Sequence, residues 1–421
     1  MNVHATPLIE PDTRRAETAI DNLRGVVVLM VIAVHAVLGY AVYAPRPSSF
    51  DSPPYSWRTF PVIDAHRFIG FDIFCAWANI FLMPLFFLVS GFFVWKSLER
   101  NGALHFAQRR ALRLGPPFIL GVAVVMPIAI FPAYAERTAH PQLLDYLRHL
   151  QSLPVWPDGP MWFLWVLLAF DLVVAGLLAA FPPVRIGLMR LASYAAHEPR
   201  RFLAGVFVLS ALAYLPLGTV FGPMRWFQWG PFSFQLNFIA LYAVYFGTGV
   251  VIGASGLERG LLHPYFARQW KKWLLAAVVL FAGWLLVSAK TFMAPTASTG
   301  WMLADAIALV PACFASCIWG LLITVQFGRI RTGLLRHLQT NAFGMYWVHY
   351  AIVTWLQFAL LAVPFPAIAK APMVFIPATL LSWASAVALR HVPILNRIVG
   401  APQRPRSCAT ASLASAFPLP D

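Results

Sequence analysis

Residues 21–43 read Asp21-Asn-Leu-Arg24-Gly-Val-Val-Val-Leu-Met-Val-Ile-Ala-Val-His35-Ala-Val-Leu-Gly-Tyr-Ala-Val-Tyr43. From Arg24 onward the run is long and apolar enough to cross a hydrocarbon core of about 30 Å as one helix, at 1.5 Å per residue. Nine further apolar runs follow, over 72–95, 114–135, 161–181, 202–221, 232–254, 273–290, 302–325, 344–363 and 372–390. The chain therefore reads as an all-α polytopic membrane protein with about ten transmembrane helices.

Composition agrees, since 60% of the 421 residues are hydrophobic and only 11% charged. That balance excludes an ordinary soluble globular domain. The net charge of +15 raises nucleic acid as a partner in general, but here the charges lie in short clusters between apolar runs. With an even number of spans, 23 of the 31 Lys and Arg residues fall in the termini and in the loops on their side, and 8 in the opposite loops. The positive-inside rule then places both termini in the cytoplasm. The expected partner is the lipid bilayer, with no nucleic acid.

Cys75, Cys313 and Cys317 lie in apolar runs and Cys408 in a polar tail. Their spacing fits neither a disulfide framework nor a zinc site, so no metal is expected. The first 20 residues carry Glu10, Asp12, Arg14, Arg15 and Glu17, unlike a cleavable signal, so the first apolar run reads as a retained helix. The chain divides into a cytoplasmic arm over 1–20, a transmembrane domain over 21–393 and a Pro-, Ala- and Ser-rich cytoplasmic tail over 394–421, expected to be disordered. The longest outer loops, 44–71 and 136–160, are long enough to cover a site on the outer face.

Ionisable groups inside a bilayer are costly and mark the first places to look for function. His35, Asp171 and His349 lie well within spans, and Asp305 lies near the end of one. His35 follows Arg24 by eleven residues, about three helical turns, so both project from one face about 16 Å apart. Asp21, three residues before Arg24, points from the same side. A donor with a highly charged head and a long thin arm suits that layout, and a coenzyme A thioester has that shape. Arginine holds phosphates at the surface, while an imidazole at mid-membrane meets the thioester and accepts a hydroxyl proton. The same two residues also suit a helix-contact histidine and an interfacial anchor.

A second basic group, Arg109-Arg110-Ala-Leu-Arg113, precedes the third span. Arg110 and Arg113 share a helix face there and suit either a phosphate clamp or a lipid-surface anchor. Asp171 lies at a depth similar to that of His35, and pairing would orient the imidazole and raise its basicity. His349 reads as a second polar contact or as a packed histidine. Trp156 and Trp162 flank the second long outer loop and are candidates for stacking on a sugar, although most of the tryptophans suit an interfacial belt.

These residues carry a resemblance. Asp21-Asn-Leu-Arg24-Gly25 followed by His35, Phe86-Phe-Leu-Val-Ser90-Gly91-Phe92, Arg110-x-x-Arg113, Pro160-Met-Trp162-Phe163-Leu164 and Asn341-Ala-Phe-Gly-Met-Tyr346-Trp-Val-His349 occur in order. Together they resemble the acyltransferase 3 family of polytopic membrane proteins, from Ile20 to about Pro393. Within it the sequence is most similar to the glucan biosynthesis C group, taken to succinylate periplasmic glucans. The resemblance implies an O-acyltransferase of the bacterial inner membrane, moving an acetyl or succinyl group from acyl-CoA to a hydroxyl of a carbohydrate or glycan acceptor. It implies that His35 is catalytic and that Arg24, Arg110 and Arg113 bind the donor or shape its access, with acyl-CoA as substrate and no tightly bound cofactor. Whether His35 is a base or becomes acylated stays open, as does the oligomeric state. The rival class is a transporter or flippase for a polar or lipid-linked substrate, which interrupted helices around prolines such as Pro84, Pro127 and Pro311 permit.

Overall fold

The computed structural model describes residues 11–396 apart from 224, 258, 294–297, 329, 331 and 394. Most of the expected tail therefore lies outside the described residues. The helices are α1 (Pro11–Leu38), α2 (Ile69–Gly91), α3 (Val94–Asn101), α4 (Ala103–Leu120), α5 (Met126–Arg137), α6 (Leu143–Ser152), α7 (Trp162–Ala180) and α8 (Pro182–His197). They continue as α9 (Pro199–Phe221), α10 (Ile239–Ser255), α11 (Pro264–Ala267), α12 (Trp270–Met293), α13 (Thr299–Phe327), α14 (Gly333–Ala359) and α15 (Ala367–His391). A wide turn of five residues, Gly121–Val125, joins α4 to α5 and follows the paired Pro116 and Pro117, which each remove a backbone donor from the helix.

Eight helical segments among the described residues are long and apolar enough to cross a membrane: 17–38, 69–101, 103–137, 159–180, 199–221, 270–291, 299–327 and 367–391. Of the two other expected runs, α10 has 17 residues, and α14 opens on a polar turn containing Arg336, His337, Gln339 and Asn341. The run expected over 232–254 begins differently from its reading as helix. Trp226–Trp229 (β1) and Phe232–Gln235 (β2) form an antiparallel hairpin with Phe227 opposite Phe234. The two-residue turn Gly230-Pro231 explains this, with Gly230 at φ 52°, a conformation that costs glycine little.

Close helix packing rests on small residues where lipid supplies no hydrophobic drive between helices. A Cβ on Gly249 would lie 2.0 Å from the Leu88 carbonyl oxygen, and one on Gly253 would lie 2.1 Å from that of Phe92. Gly249 and Gly253, four apart, thus bring α10 against the end of α2. The loop expected over 182–201 contains α8, which packs on α10 and exposes Val184, Ile186 and Met189.

The seam that matters for the site joins α1 to α14, which run side by side in the same direction. Asn22 of α1 accepts from Gln339 and donates to the Gly328 and Ile330 carbonyls. Further along, Gln357 donates to the His35 and Ala36 carbonyls at 2.9 and 3.1 Å. Those carbonyls are in the last turn of α1, where a helix has no backbone partner to offer, and Gln357 supplies one. The polar ties at both ends fix the register of the two helices.

Candidate active site

His35 meets His349 in the middle of this seam. The Nδ1 atom of His35 lies 2.8 Å from the Val31 carbonyl oxygen and 3.2 Å from Nε2 of His349. In turn Nδ1 of His349 lies 2.6 Å from the Tyr346 carbonyl oxygen. A carbonyl only accepts, so the proton of His349 sits on Nδ1 and its Nε2 offers a lone pair. Both neighbours of His35 Nδ1 are then acceptors, and the proton of His35 sits on Nδ1. This leaves a lone pair on Nε2 of His35, for which no hydrogen-bond partner occurs among the described residues. His349 is fully buried and His35 only partly so. The edge of Tyr350 packs on the His35 ring with centroids 5.0 Å apart.

The arginines converge at the other end of α1. Arg24 lies 3.5 Å from Asp21 and stacks over Phe93 at 4.2 Å. Arg110 and Arg113 project from α4, Arg110 over Phe106 and Arg113 toward Phe343. Arg24, Arg110 and Arg113 are close enough to feel one another's charge. Arg113 has no carboxylate within ion-pair distance among the described residues. Among the described residues, three guanidinium groups thus face two carboxylates, those of Asp21 and Asp171.

Asp171 corrects one expectation, because its carboxylate lies 3.2 Å from Nε of Arg110 instead of beside His35. The cause is packing: α7 lies chiefly along α4, while α1 takes α14, α2 and α15 as neighbours. A buried carboxylate needs a charge partner, and Arg110 is the one within reach. Asp171 therefore draws Arg110 inward.

The proposed stacking tryptophans do not face His35. Trp162 packs on Tyr242 and Trp226 at centroid distances of 5.8 and 5.7 Å. Trp156 is exposed, and its carbonyl accepts from Gln228. Asp305 sits on the α12 side of α13, next to Ser288 and Trp284.

Beyond the Tyr40 end of α1, loop 44–68 folds over the bundle. Trp57 is fully buried, stacks on Phe50 and donates to its carbonyl. Arg67 clamps the Val42 and Ala44 carbonyls, and Asp72 accepts from the Val42 and Tyr43 amides. Arg58 joins Asp158 at 3.2 Å, and Ser233 also donates to Asp158. Burial pushes the Asp158 carboxyl above the usual carboxylate range, against the pull of Ser233 and Arg58. Gly39 has no room for a side chain, since a Cβ would lie 2.6 Å from the Val62 carbonyl oxygen.

Sequence reading missed Gln357, although it follows His349 by eight residues, the spacing of one helix face over two turns. It also missed Asp64 and Lys370, which form a buried pair at 2.5 Å. A lysine within an apolar stretch was the available signal.

A bundle of apolar helices here holds a polar seam with an imidazole lone pair, and an arginine cluster at one end, an arrangement that suits group transfer in a membrane-spanning protein. The chain belongs to the acyltransferase 3 family, described as an acyltransferase domain, which matches residues 17–389. It is similar to the glucans biosynthesis protein C of Salmonella typhi and of Salmonella typhimurium, each 23% identical over 277 residues, covering 64% of this chain and 66% of the relative. The protein of that name from Salmonella gallinarum matches to the same extent. The chain thus spans just under two thirds of the length of these relatives. No solved structure matches it.

Proposed function

We propose that the protein transfers an acyl group, acetyl or succinyl, from acyl-CoA to a hydroxyl of a carbohydrate or glycan acceptor, with Nε2 of His35 as general base. The observation that carries this reading is the pair of acceptors on His35 Nδ1, which leaves the Nε2 lone pair for a substrate proton. In the transfer step the acceptor hydroxyl gives its proton to Nε2 as its oxygen bonds to the thioester carbonyl carbon. The C–S bond then breaks and the thiolate takes the proton back from His35, leaving an ester, free coenzyme A and neutral imidazole. The Val31 carbonyl and His349 together favour this tautomer, and Gln357 holds the backbone of His35 itself.

The excess positive charge of Arg24, Arg110 and Arg113 suits the phosphates of the donor. Asp171 acts through Arg110 as a positioning residue. In this reading α10 and α14 cross the bilayer with the other eight segments, giving ten spans and both termini in the cytoplasm of a bacterial inner membrane. The arginine end then faces the cytoplasmic acyl-CoA pool, and the acceptor approaches from the Tyr40 end. The relatives' name makes a glucan a reasonable first acceptor to try.

The test is transfer of radiolabel from acetyl-CoA and from succinyl-CoA into the carbohydrate fraction of membranes. Label that depends on the expressed protein is expected from at least one donor. Its absence with both, at confirmed expression, contradicts the reading.

A further inference from the structure

The Tyr40 end of the seam contains a set of buried polar groups that the transfer step does not use. Tyr40 follows His35 by five residues, in the turn just past α1. It is 1% exposed, yet its hydroxyl has no hydrogen-bond partner among the described residues. Burial, with the nearby Asp64 carboxylate, pushes this phenol upward, so it remains a donor. Asp64 also lies within electrostatic reach of Glu136. The side chain of Arg137, 9% exposed, pairs with Glu136 at 3.3 Å and donates to the Ser48 and Ala133 carbonyls, but its Nη2 is buried and unpartnered. Lys370 reaches Asp64 from α15, and the amide and ring of His66 contact the other Asp64 oxygen at 2.8 and 3.1 Å.

Buried donors without partners are rare because each costs the full loss of its hydration. Two of them grouped about Asp64, one on Tyr40 and one on the Arg137 that pairs with the partly exposed Glu136, form an incomplete set of hydrogen bonds. The cations here are engaged: Lys370 pairs with Asp64, Arg137 with Glu136, and Arg67 spends its nitrogens on the Asp64, Val42, Ala44 and Pro45 carbonyls. An anion brought to this place finds the Glu136 carboxylate opposing it. A polyol meets what it needs, with Tyr40 and Arg137 donating to its oxygens and Glu136 accepting from its hydroxyls.

We infer that Tyr40, Glu136 and Arg137 form the binding site for an uncharged polyhydroxy acceptor, such as a neutral sugar ring, presenting one hydroxyl to Nε2 of His35. This rests on the reading of His35 as the base, and it adds the location and charge class of the acceptor. Asp64 and Lys370 serve as positioning residues that hold the wall beneath Tyr40.

The experiment uses the full chain in lipid nanodiscs without donor, with methyl β-glucoside as the neutral probe and methyl β-glucuronide as its anionic counterpart. Saturation-transfer NMR is expected to show the glucoside bound, and the glucuronide bound at least about tenfold more weakly. Tyr40→Phe and Glu136→Gln, both close in shape to the native side chains, should each weaken glucoside binding about tenfold, the loss of one hydrogen bond. Glucuronide binding as tight as glucoside, or variants that bind the glucoside like the native protein, would overturn the site. Acyl transfer is then measured on the same samples. Native binding that depends on Tyr40 and Glu136, without transfer from acyl-CoA, removes the acyltransfer reading and leaves the site standing. Transfer whose acceptor KM is unmoved by both variants removes the site and leaves the reading.

Discussion

The two ends of α1 carry similar numbers of charged side chains but are built on opposite plans. At the Arg24 end, three arginines face two carboxylates, and Arg113 has none of its own among the described residues. At the Tyr40 end Lys370 pairs with Asp64 and Arg137 with Glu136, Arg67 spends its nitrogens on backbone carbonyls, and the Tyr40 hydroxyl and one Arg137 nitrogen are left over among the described residues. Uncompensated charge recognises charge, and unpaired donors beside an already paired acid recognise hydroxyls. The same helix can therefore bring a polyanionic donor and an uncharged acceptor to one imidazole from opposite ends without either taking the other's place.

The strongest way to break this contrast is at Arg110. Replacing it with Gln leaves Asp171 buried and unpaired, and removing one partner of such a pair costs about 3–5 kcal/mol. Arg110→Gln should therefore lower thermal stability in detergent markedly, and the double variant Arg110→Gln with Asp171→Asn should regain most of it. An Arg110→Gln protein as stable as the native one would mean that Asp171 does not depend on this pair for its burial. His349→Ala comes next, with an expected fall of about 100-fold in kcat and little change in the KM for acyl-CoA, because the ring keeps the Val31 carbonyl but loses the second Nδ1 acceptor that orients it and steadies its protonated form, and not its donor contacts. Steady-state kinetics of His349→Gln, whose side-chain oxygen can still accept from His35, should show a smaller loss than His349→Ala.

Arg113→Gln sharpens the contrast from the charged side. With no carboxylate left behind, stability should change by less than about 1 kcal/mol, while the KM for acyl-CoA rises about tenfold or more, the loss of one charge-assisted contact. The smallest expected effect is that of salt. Raising ionic strength from about 0.05 to 0.5 M should increase the KM for acyl-CoA several-fold and leave that for a neutral acceptor within about twofold, since screening acts on unbalanced charge. Equal sensitivity of both constants would erase the distinction between the two ends.

Much of the bundle was legible because bilayer thickness leaves a long apolar run few options, and eight of the ten expected runs are helices of spanning length and hydropathy. The hairpin at Trp226–Gln235 was not, since its aromatic residues satisfy a hydropathy window as well as a helix does, and only Gly230-Pro231 marks the turn. Likewise α8 was hidden in a loop by its arginines. Within the site, the placing of Arg24 and His35 on one helix face needed only the α-helical repeat. The partner of Asp171 could not be read in that way. Depth along a helix is a property of one segment, but whether Asp171 meets His35 or Arg110 depends on α7 lying against α4. The same holds for His349, whose contact with His35 exists because α14 and α1 share a seam.

The central claim is that the free Nε2 lone pair of His35 removes the acceptor proton. Its most direct test is His35→Gln in the full chain, measured for acyl-CoA binding, neutral-glycoside binding and acyl transfer at matched protein level. The account predicts that both ligands still bind within about threefold of native affinity while transfer falls by about 10³-fold, within the range expected for loss of a general base. Transfer within about tenfold of the native rate, with binding intact, would contradict it.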